Sequence, residues 1–305
     1  MRILITGGSG FLGLALARRF RERGDEVLTL DIREGADLVE DLTEKAGFAR
    51  ALEEFEPDII IHAAAINGTR NFYGRPAAVF FAAAQGTINV ARAFAAYGRG
   101  RLIYLSSSEV YHLPRQFPTP EDVPLVIPDL ANPRFSYSAG KIAGEAAITY
   151  LCGGLDTVIT RPHNVYGPGG SPDHVVVSLI DKIAAGGTLE LEGDPRAVRT
   201  FCYVDDFVSA MEVIADAKAP PRILNVGSYY TSSIYGLAAT IERLMGRSEA
   251  REFMDFNDVA QPKGSPFVRI PDLGRLTALG WEPKVSLVDG LKRTIAWRRE
   301  SHRDY

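Results

Sequence analysis

The chain has 305 residues, of which 46% are hydrophobic and 24% charged, and its formal net charge is −4. This is the composition of an ordinary globular protein, long enough for one large α/β domain or two modest ones. The 34 lysines and arginines form no long basic run, which argues against a nucleic-acid partner. No apolar stretch approaches the roughly 18 residues of a membrane span, so we expect no membrane contact.

The sequence contains two cysteines, Cys152 and Cys202. Their positions match neither a CxxC motif nor zinc-ligand spacing, so we expect two reduced thiols, no metal site and a cytoplasmic protein. The N-terminal segment resembles a signal peptide only superficially, because closely spaced glycines from Gly7 onward interrupt it. A strand followed by a helix is the better interpretation.

Short apolar runs alternate with helical patterns through the first two thirds of the chain. The predicted strands are Arg2–Thr6, 26–30, 59–63, 101–106 and 156–161. The predicted helices are 11–23, about 43–55, about 76–98 and about 136–151. Strand–helix alternation of this kind predicts an α/β fold with a doubly wound parallel sheet.

The pattern changes after Pro162. A loop rich in glycine and proline covers 167–172, and helices at about 174–185, 205–216 and 233–245 follow among short strands. We expect a first domain over 1–165, with about 199–225 returning to its sheet. Residues 166–198 and 226–305 would form a smaller mixed α/β domain.

A glycine-rich turn lies between the first strand and the first helix. Gly7, Gly10 and Gly13 would allow a tight turn and let the backbone approach a pyrophosphate at the helix N-terminus. Asp31 ends the second strand about 20 residues further on, where a ribose-binding carboxylate is expected. Its charge would repel a 2′-phosphate. The sequence therefore predicts a Rossmann-type domain that binds NAD, with NADP less favoured.

Other residues are predicted to line the cofactor site. They are Phe11, Leu12, Asp41, Leu42, Ala63, Ala64 and Ala65. Asp41 and Leu42 would flank the adenine, and the three alanines would let the cofactor lie close to the backbone. Arg33 is close enough to pair with a phosphate, but we interpret it as a solvated loop residue. His62 is expected to be structural.

Tyr137 and Lys141 are four residues apart in the predicted helix 136–151. This spacing places both side chains on one helical face. A nearby ammonium group favours the ionised form of a phenol. The pair therefore predicts a general acid/base for a sugar or alcohol hydroxyl.

With these residues the chain resembles the extended short-chain dehydrogenase/reductase family, which includes NAD-dependent sugar-nucleotide epimerases and dehydratases. The resemblance runs almost end to end. Its motifs are the glycine triplet with Asp31, DIIIHAAA from Asp58, SSSEVY from Ser106, YSAGK from Tyr137, RPHNVYGP from Arg161, RTFCYVDD from Arg199, NVG from Asn225 and LGWEP from Leu279. One departure is Ala83, which replaces an asparagine common in the family. We expect a structural rather than a catalytic consequence.

The resemblance implies roles for the residues around Tyr137. Tyr137 would remove the proton from the sugar 4-hydroxyl while hydride passes to NAD, and Lys141 would hold the nicotinamide ribose and lower the pKa of the tyrosine. Ser107 would hydrogen-bond the same oxygen. Ser108 and Glu109 complete a hydroxyl-x-Glu triplet found in the family's dehydratases and decarboxylases.

Glu109 decides the predicted reaction. A dehydratase needs a carboxylate at C5, so we predict an NDP-hexose dehydratase that loses the C6 hydroxyl as water (4,6- or 5,6-dehydration) with internal return of hydride. The alternative is a 4-epimerase, typically of a UDP-hexose, which needs no base at C5. A UDP-uronic acid decarboxylase, with Arg134 as the cation for its carboxylate, and a non-catalytic NAD(H)-binding protein rank below these.

The resemblance also implies a nucleoside-diphosphate sugar as substrate, with UDP- or dTDP-hexose favoured. The predicted substrate-binding residues are Asn164, Val176, Leu189, Arg199 and Arg269. Guanidinium forks suit diphosphate oxygens, and the main chain near Val176 and Leu189 would contact the base. Because family members commonly dimerise through a helix pair, we expect a homodimer through 76–98 and 136–151.

Overall fold

The computed structural model describes residues 1–44, 46–186, 189, 191, 193–247 and 266–301. The strands are, in chain order, β1 (Arg2–Thr6), β2 (Glu26–Asp31), β3 (Leu38–Val39), β4 (Ile59–His62), β5 (Arg101–Leu105), β6 (Asp156–Pro162), β7 (Val165–Tyr166), β8 (Val198–Thr200), β9 (Cys202–Tyr203), β10 (Ile223–Val226), β11 (Thr231–Ser233) and β12 (Val268–Arg269). The helices are α1 (Phe11–Glu22), α2 (Ala46–Phe55), α3 (Thr69–Gly74), α4 (Pro76–Tyr97), α5 (Ser136–Leu151), α6 (Val175–Ala185), α7 (Val204–Asp216), α8 (Ile234–Leu244), α9 (Gly274–Thr277) and α10 (Leu287–Ser301).

Within the described residues, seven strands form one parallel sheet in the order β10-β6-β5-β4-β1-β2-β3. The strand order reverses between β1 and β4, which is where doubly wound sheets bind their ligands, outside the carboxyl ends of the strands. The sheet confirms the predicted Rossmann-type fold.

The central strands are mostly apolar and almost entirely buried. Every residue of β4 and β5 is buried, as are the last four of β1, because helices cover both faces of a parallel sheet. Apolar residues of α1 and α7 pack on one face, and those of α2, α4 and α5 pack on the other. These two cores hold the carboxyl ends of β1, β4 and β5 in fixed positions.

Two smaller sheets stand outside this one. In the three-stranded sheet, β8 pairs with β11 and with β12, and the register sets Arg199 beside Arg269. The other sheet pairs β7 with β9. Because β10 pairs with β6, Ile223–Val226 lies at the edge of the large sheet. The division into two domains with the boundaries given above stays a prediction.

Helices α4 and α5 pack closely where Ala83 faces Gly140. A side chain at Gly140 would place its Cβ 2.7 Å from the Cβ of Ala83, closer than two carbon atoms can approach. A larger residue at position 83 would therefore push the helices apart. This agrees with a structural consequence of Ala83, as expected from the sequence.

Cys152 and Cys202 are both free and buried. In the part of the chain that the structure describes, no helix combines the length and apolar character needed to cross a membrane.

Candidate active site

The glycine-rich turn stands at the carboxyl end of β1 and leaves its backbone bare. Gly7 has a φ of +72°, and a Cβ there would lie 2.8 Å from the main chain of Ala64. A Cβ at Gly13 would overlap the carbonyl oxygen of Gly7, which also accepts a hydrogen bond from the amide of Gly10 at 2.9 Å. The turn therefore excludes side chains at these positions and exposes main-chain amides, as pyrophosphate binding at a helix N-terminus requires.

Asp31 lies beside this turn at the end of β2. Its carboxylate accepts hydrogen bonds from the main-chain amides of Ser9 and Arg33, each at 3.0 Å. The Arg33 guanidinium also approaches it at 3.4 Å, but the Arg33 side chain is mostly exposed. Asp31 is thus oriented at the glycine turn, as the ribose-binding role predicts, and these residues fit a dinucleotide.

The remaining predicted cofactor residues surround the same edge of the sheet. Ala63 and Ala64 are half-buried behind Gly7, whereas Ala65 is exposed. The Leu42 carbonyl accepts a hydrogen bond from the Asn89 side chain on α4 at 2.9 Å. The Asp41 carboxylate accepts bonds from the amide and hydroxyl of Thr43, both at 2.8 Å. Sequence reasoning missed Asn89, which fixes this loop.

Phe11 and Leu12 begin α1 and are both half-buried. The Phe11 ring faces the glycine-rich loop after β7, because a Cβ at Gly169 would lie 3.5 Å from it. The start of α1 and this loop therefore approach each other across the predicted cofactor site.

His62 is fully buried at the end of β4. Its Nδ1 pairs with the Thr6 hydroxyl at 2.7 Å and its Nε2 with the Thr87 hydroxyl at 3.0 Å. Burial, together with the charge of Lys141, lowers the pKa of His62 to about 3. The imidazole is therefore neutral and ties β1, β4 and α4 together, which supports a structural role.

Tyr137 and Lys141 share one face of α5, as their spacing predicts, and both are buried. The Lys141 ammonium donates a hydrogen bond to the Leu105 carbonyl at 2.6 Å and lies 5.7 Å from the centre of the Tyr137 ring. The Tyr137 ring stacks on Phe72 with 5.2 Å between centroids. The end of β5 and helix α3 thus hold the pair in place.

The pKa of Tyr137 shifts opposite to the expected direction. Burial raises it most, the negative charge of Glu109 raises it further, and a hydrogen bond with Ser107 lowers it. Burial also lowers the pKa of Lys141 to about 7, against the opposing charge of Glu145. The protein's own groups therefore keep Tyr137 protonated.

The turn after β5 carries the predicted serine pair and Glu109. Ser107 begins a short 3₁₀ turn, and its hydroxyl accepts a hydrogen bond from the Glu109 amide at 3.2 Å. Ser107 is also near enough to Tyr137 to lower its pKa, which is compatible with the predicted role. Ser108 is buried.

Glu109 lies between two arginines. Its carboxylate accepts a hydrogen bond from Arg269 at 2.8 Å and approaches Arg134 at 3.4 Å through both oxygens. Burial alone would raise the pKa of Glu109, but Arg269, Arg134 and His112 hold it well below its usual range. Glu109 is therefore a firmly ionised carboxylate paired with cations.

Arg199 completes a group that we call the arginine cluster: Arg134, Arg199 and Arg269 around Glu109. The Arg199 guanidinium donates to the carbonyls of Val198, Phe267 and Pro266 at 2.6–3.0 Å. Burial, together with the charges of Arg269 and Arg134, lowers its pKa to about 9 against the opposing charge of Glu109. Arg134 and Arg269 contact the Glu109 carboxylate and Arg199 lies beside Arg269, so three guanidinium groups against one carboxylate leave the cluster positively charged.

Arg269 retains hydrogen-bonding capacity toward an anion. Its Nε and Nη2 atoms are buried, and no group in the described part of the chain accepts a hydrogen bond from them. These donors suit a phosphate or carboxylate. The predicted diphosphate role of Arg269 therefore fits, although one edge of the guanidinium is already bound to Glu109.

The other predicted substrate residues lie nearby with different exposure. The Asn164 side chain donates to the Thr200 carbonyl at 2.8 Å, next to Arg199. Val176 and Leu189 have buried side chains within the apolar core. Only their main-chain groups remain to contact the nucleobase of a substrate, which is the contact that we predicted.

Comparison with known proteins places this architecture in a family. The model described as "NAD dependent epimerase/dehydratase family" matches residues 3–227. A UDP-glucose 4-epimerase of Mycolicibacterium smegmatis is 29% identical, over 98% of this chain and 99% of that protein. A UDP-N-acetyl-alpha-D-glucosaminuronate decarboxylase of Bacillus cytotoxicus is 31% identical, over 99% of both.

A solved structure supports the same assignment. The UDP-glucose 4-epimerase of Thermus thermophilus in complex with NAD superposes with a TM-score of 0.84 at 26% identity, over 98% of this chain and 99% of that one. Together with the glycine turn and Asp31, these matches confirm the predicted resemblance and NAD as the cofactor.

Proposed function

This chain belongs to the NAD dependent epimerase/dehydratase family, and we propose that it interconverts the two C4 epimers of a nucleoside-diphosphate sugar. The observation that carries this proposal is the pairing of Glu109 with Arg269 and Arg134. It favours the alternative of the sequence analysis over the dehydratase that we predicted first.

Glu109 is poorly suited to act as a base at C5. A general base works best when its pKa lies near the operating pH, whereas the arginines hold the pKa of Glu109 well below its ordinary value. Dehydration requires a base that removes the C5 proton. Epimerisation at C4 leaves the C5 proton in place, so it needs no base at C5 and is compatible with an ionised, arginine-paired Glu109.

Tyr137 and Ser107 supply the groups that epimerisation needs. NAD, which the glycine turn and Asp31 would hold, would supply the hydride acceptor and donor for C4. Tyr137, once it has lost its own proton to solvent, would take the proton of the 4-hydroxyl and give it back after the sugar has turned its other face. Ser107, which lies near Tyr137, would hold the same oxygen, and Lys141 would keep a positive charge near the phenol. That charge matters because the protein's other groups raise the pKa of Tyr137.

The arginine cluster favours an anionic handle on the substrate. Arg199 and Arg269 lie side by side across two paired strands, and Arg269 has two buried donors without an acceptor in the described residues. The negative charge of a diphosphate would offset the positive charge of the three arginines that Glu109 alone does not neutralise. A UDP-sugar is the favoured substrate, since the 4-epimerase relatives are named for UDP-glucose.

Decarboxylation of a UDP-uronic acid is a second candidate, and Arg134 is the observation that favours it. Arg134 is 8% exposed and lies at Glu109, near Tyr137. It could bind a carboxylate on C5. Once C4 is a ketone, such a carboxylate is lost as CO₂ without a base, so the low pKa of Glu109 does not count against this reaction. The relative from Bacillus cytotoxicus carries this activity in its name.

The homodimer also stays a proposal. Phe81 on α4 and Tyr150 on α5 are more than half exposed, and the two helices pack against each other. A second copy would cover these apolar side chains. Light scattering of the purified protein tests this, and a monomer mass at micromolar concentration would refute it.

Product analysis with a substrate panel tests the proposed function. The protein is incubated with NAD and, separately, UDP-glucose, UDP-glucuronic acid and dTDP-glucose, and products are separated by chromatography and mass spectrometry. We expect a 4-epimer of unchanged mass from at least one UDP-sugar, and none with Tyr137→Phe. Loss of CO₂ from UDP-glucuronic acid would establish the second candidate instead. Loss of water from a hexose would refute epimerisation and restore the dehydratase.

A further inference from the structure

Glu145 lies one helical turn after Lys141 on α5 and is 5% exposed. Residues four apart on a helix are neighbours on its surface, so this carboxylate stands on the same face as the ammonium group of Lys141. Sequence reasoning gave Glu145 no role. The signal available was its spacing from Lys141, which repeats the spacing between Tyr137 and Lys141.

The carboxylate of Glu145 is held in place by two other elements. Arg161 on β6 forms a two-pronged ion pair with it, from Nε at 2.9 Å and Nη2 at 2.7 Å. Ser106, at the end of β5, donates a hydroxyl hydrogen bond at 2.5 Å. Arg161 is fixed in turn by bonds to the Tyr111 hydroxyl at 2.9 Å and the Glu121 carbonyl at 2.8 Å. Glu145 therefore has little freedom to leave Lys141.

The groups that contact Lys141 directly carry no net charge, although the Leu105 carbonyl and the Tyr104 ring both favour its ammonium form. His62 on β4 is neutral, and Tyr104 on β5 presents its ring 4.8 Å from the ammonium group. The Leu105 carbonyl accepts one hydrogen bond, and Tyr137 on the same helix is protonated. Glu145 is the group whose charge raises the pKa of Lys141 against burial.

We propose that Glu145 is a positioning residue for the catalytic lysine: its buried carboxylate, fixed by Arg161 and Ser106, keeps Lys141 protonated beside Tyr137. The proposal rests on the proposed function, since the charge of Lys141 matters for turnover only if Tyr137 works as an acid/base. It assigns the ion pair between Glu145 and Arg161 a task beyond holding α5 against β6.

A titration of Lys141 itself tests the proposal without any substrate. The protein is labelled with ε-¹³C-lysine, and the Lys141 signal is assigned by its loss in Lys141→Met. In Glu145→Gln we expect the pKa of Lys141 to fall by about one unit, as for the loss of a nearby opposite charge. Glu145→Asp keeps the charge but shortens the side chain, so its pKa should lie between the two.

Glu121→Gln is the matched control. Glu121 is equally buried and belongs to the same network, with its carboxylate on Asn225 and Arg275, but it does not act on Lys141. We expect no change in the pKa of Lys141 there. If Glu145→Gln does not fold, Glu145→Asp decides. An unchanged pKa of Lys141 in the Glu145 variants, or an equal shift in Glu121→Gln, would overturn the proposal.

The pH profile of turnover is the second readout. Loss of the Lys141 proton removes activity as pH rises, so in Glu145→Gln the alkaline limb of kcat should move to lower pH. A purely structural ion pair would lower stability and leave that limb in place. If the lysine titration shifts but no sugar nucleotide is turned over by the unaltered protein, the proposed function fails and the assignment of Glu145 stands.

Discussion

The cofactor edge and the arginine cluster adjoin at Tyr137, yet they are built differently. The cofactor edge consists of the glycine turn, Asp31 and the alanines after β4. Its fit to NAD depends on shape, since the close-packed main chain at the glycines leaves no space for a side chain. The arginine cluster, the proposed substrate site, relies on charge, with buried guanidinium groups around Glu109. We therefore expect the first region to be sensitive to added volume and the second to lost charge.

Tyr137 joins the two regions, and removing its hydroxyl should have the largest effect. General acid–base groups contribute about 10²–10⁴-fold to rates, so Tyr137→Phe should lower kcat within that range. Binding of NAD, measured by calorimetry, should stay within a few-fold. Tyr150→Phe, on the exposed side of the same helix, is the control. An unchanged kcat would remove Tyr137 from the chemistry.

Loss of charge in the arginine cluster should weaken substrate binding and spare the cofactor. Hydrogen bonds to charged groups contribute about 1.5–3 kcal/mol, so Arg269→Met should raise KM for the nucleotide sugar about 10–100-fold. Arg18→Met, at an exposed position on α1, should leave KM unchanged. An equal loss of NAD binding in Arg269→Met would show that the two regions are not separable.

Added volume in the glycine turn should weaken cofactor binding. A Cβ at Gly13 would overlap the Gly7 carbonyl, and overpacking costs about 1–3 kcal/mol. Gly13→Ala should therefore weaken NAD binding and lower the unfolding temperature. At Gly153 a Cβ meets nothing within 4 Å, so Gly153→Ala serves as the control. Normal NAD affinity in Gly13→Ala would contradict a site built by close approach of the backbone.

Acid should destabilise the protein through two buried histidines, His62 at the end of β4 and His163 near Arg269. Burial lowers the pKa of His62 and of His163 to about 3, so the unfolded chain binds more protons than the folded one below pH 6.5. Stability from these groups is present above that pH and is lost as pH falls toward 3. Each histidine contributes about 1.4 kcal/mol per pH unit within this window.

Urea unfolding between pH 7 and pH 5 measures this loss. His62→Gln cannot titrate at that position and should show a shallower decline than the unaltered protein. Identical slopes in the two proteins would indicate that His62 is charged or exposed in the folded state.

Local patterns in the sequence predicted most of the large sheet. The helix over 136–151 has the predicted bounds, and β1 does as well, because apolar runs and glycines mark them clearly. Strands of two residues such as β7 and β9 form only through tertiary pairing, so no local pattern reveals them.

The candidate site divides in the same way. Gly7, Asp31, Tyr137 and Lys141 follow from spacing, because the first two belong to one strand–helix–strand unit and the last two to one helix. The ion pair between Glu109 and Arg269 joins residues 160 positions apart and depends on how β12 lies beside β8. The direction of the Tyr137 pKa shift depends on burial by several elements, which spacing alone does not determine.

Solvent deuterium incorporation tests the central claim most directly, since it reports whether the proton on C5 is ever removed. The protein is incubated with NAD and UDP-glucose in D₂O, and the product is analysed by mass spectrometry. We expect an isomer of unchanged mass with no deuterium on carbon, and the same product from Glu109→Gln at a rate within a few-fold. A product that has lost water and gained deuterium, and that Glu109→Gln fails to form, would contradict this claim.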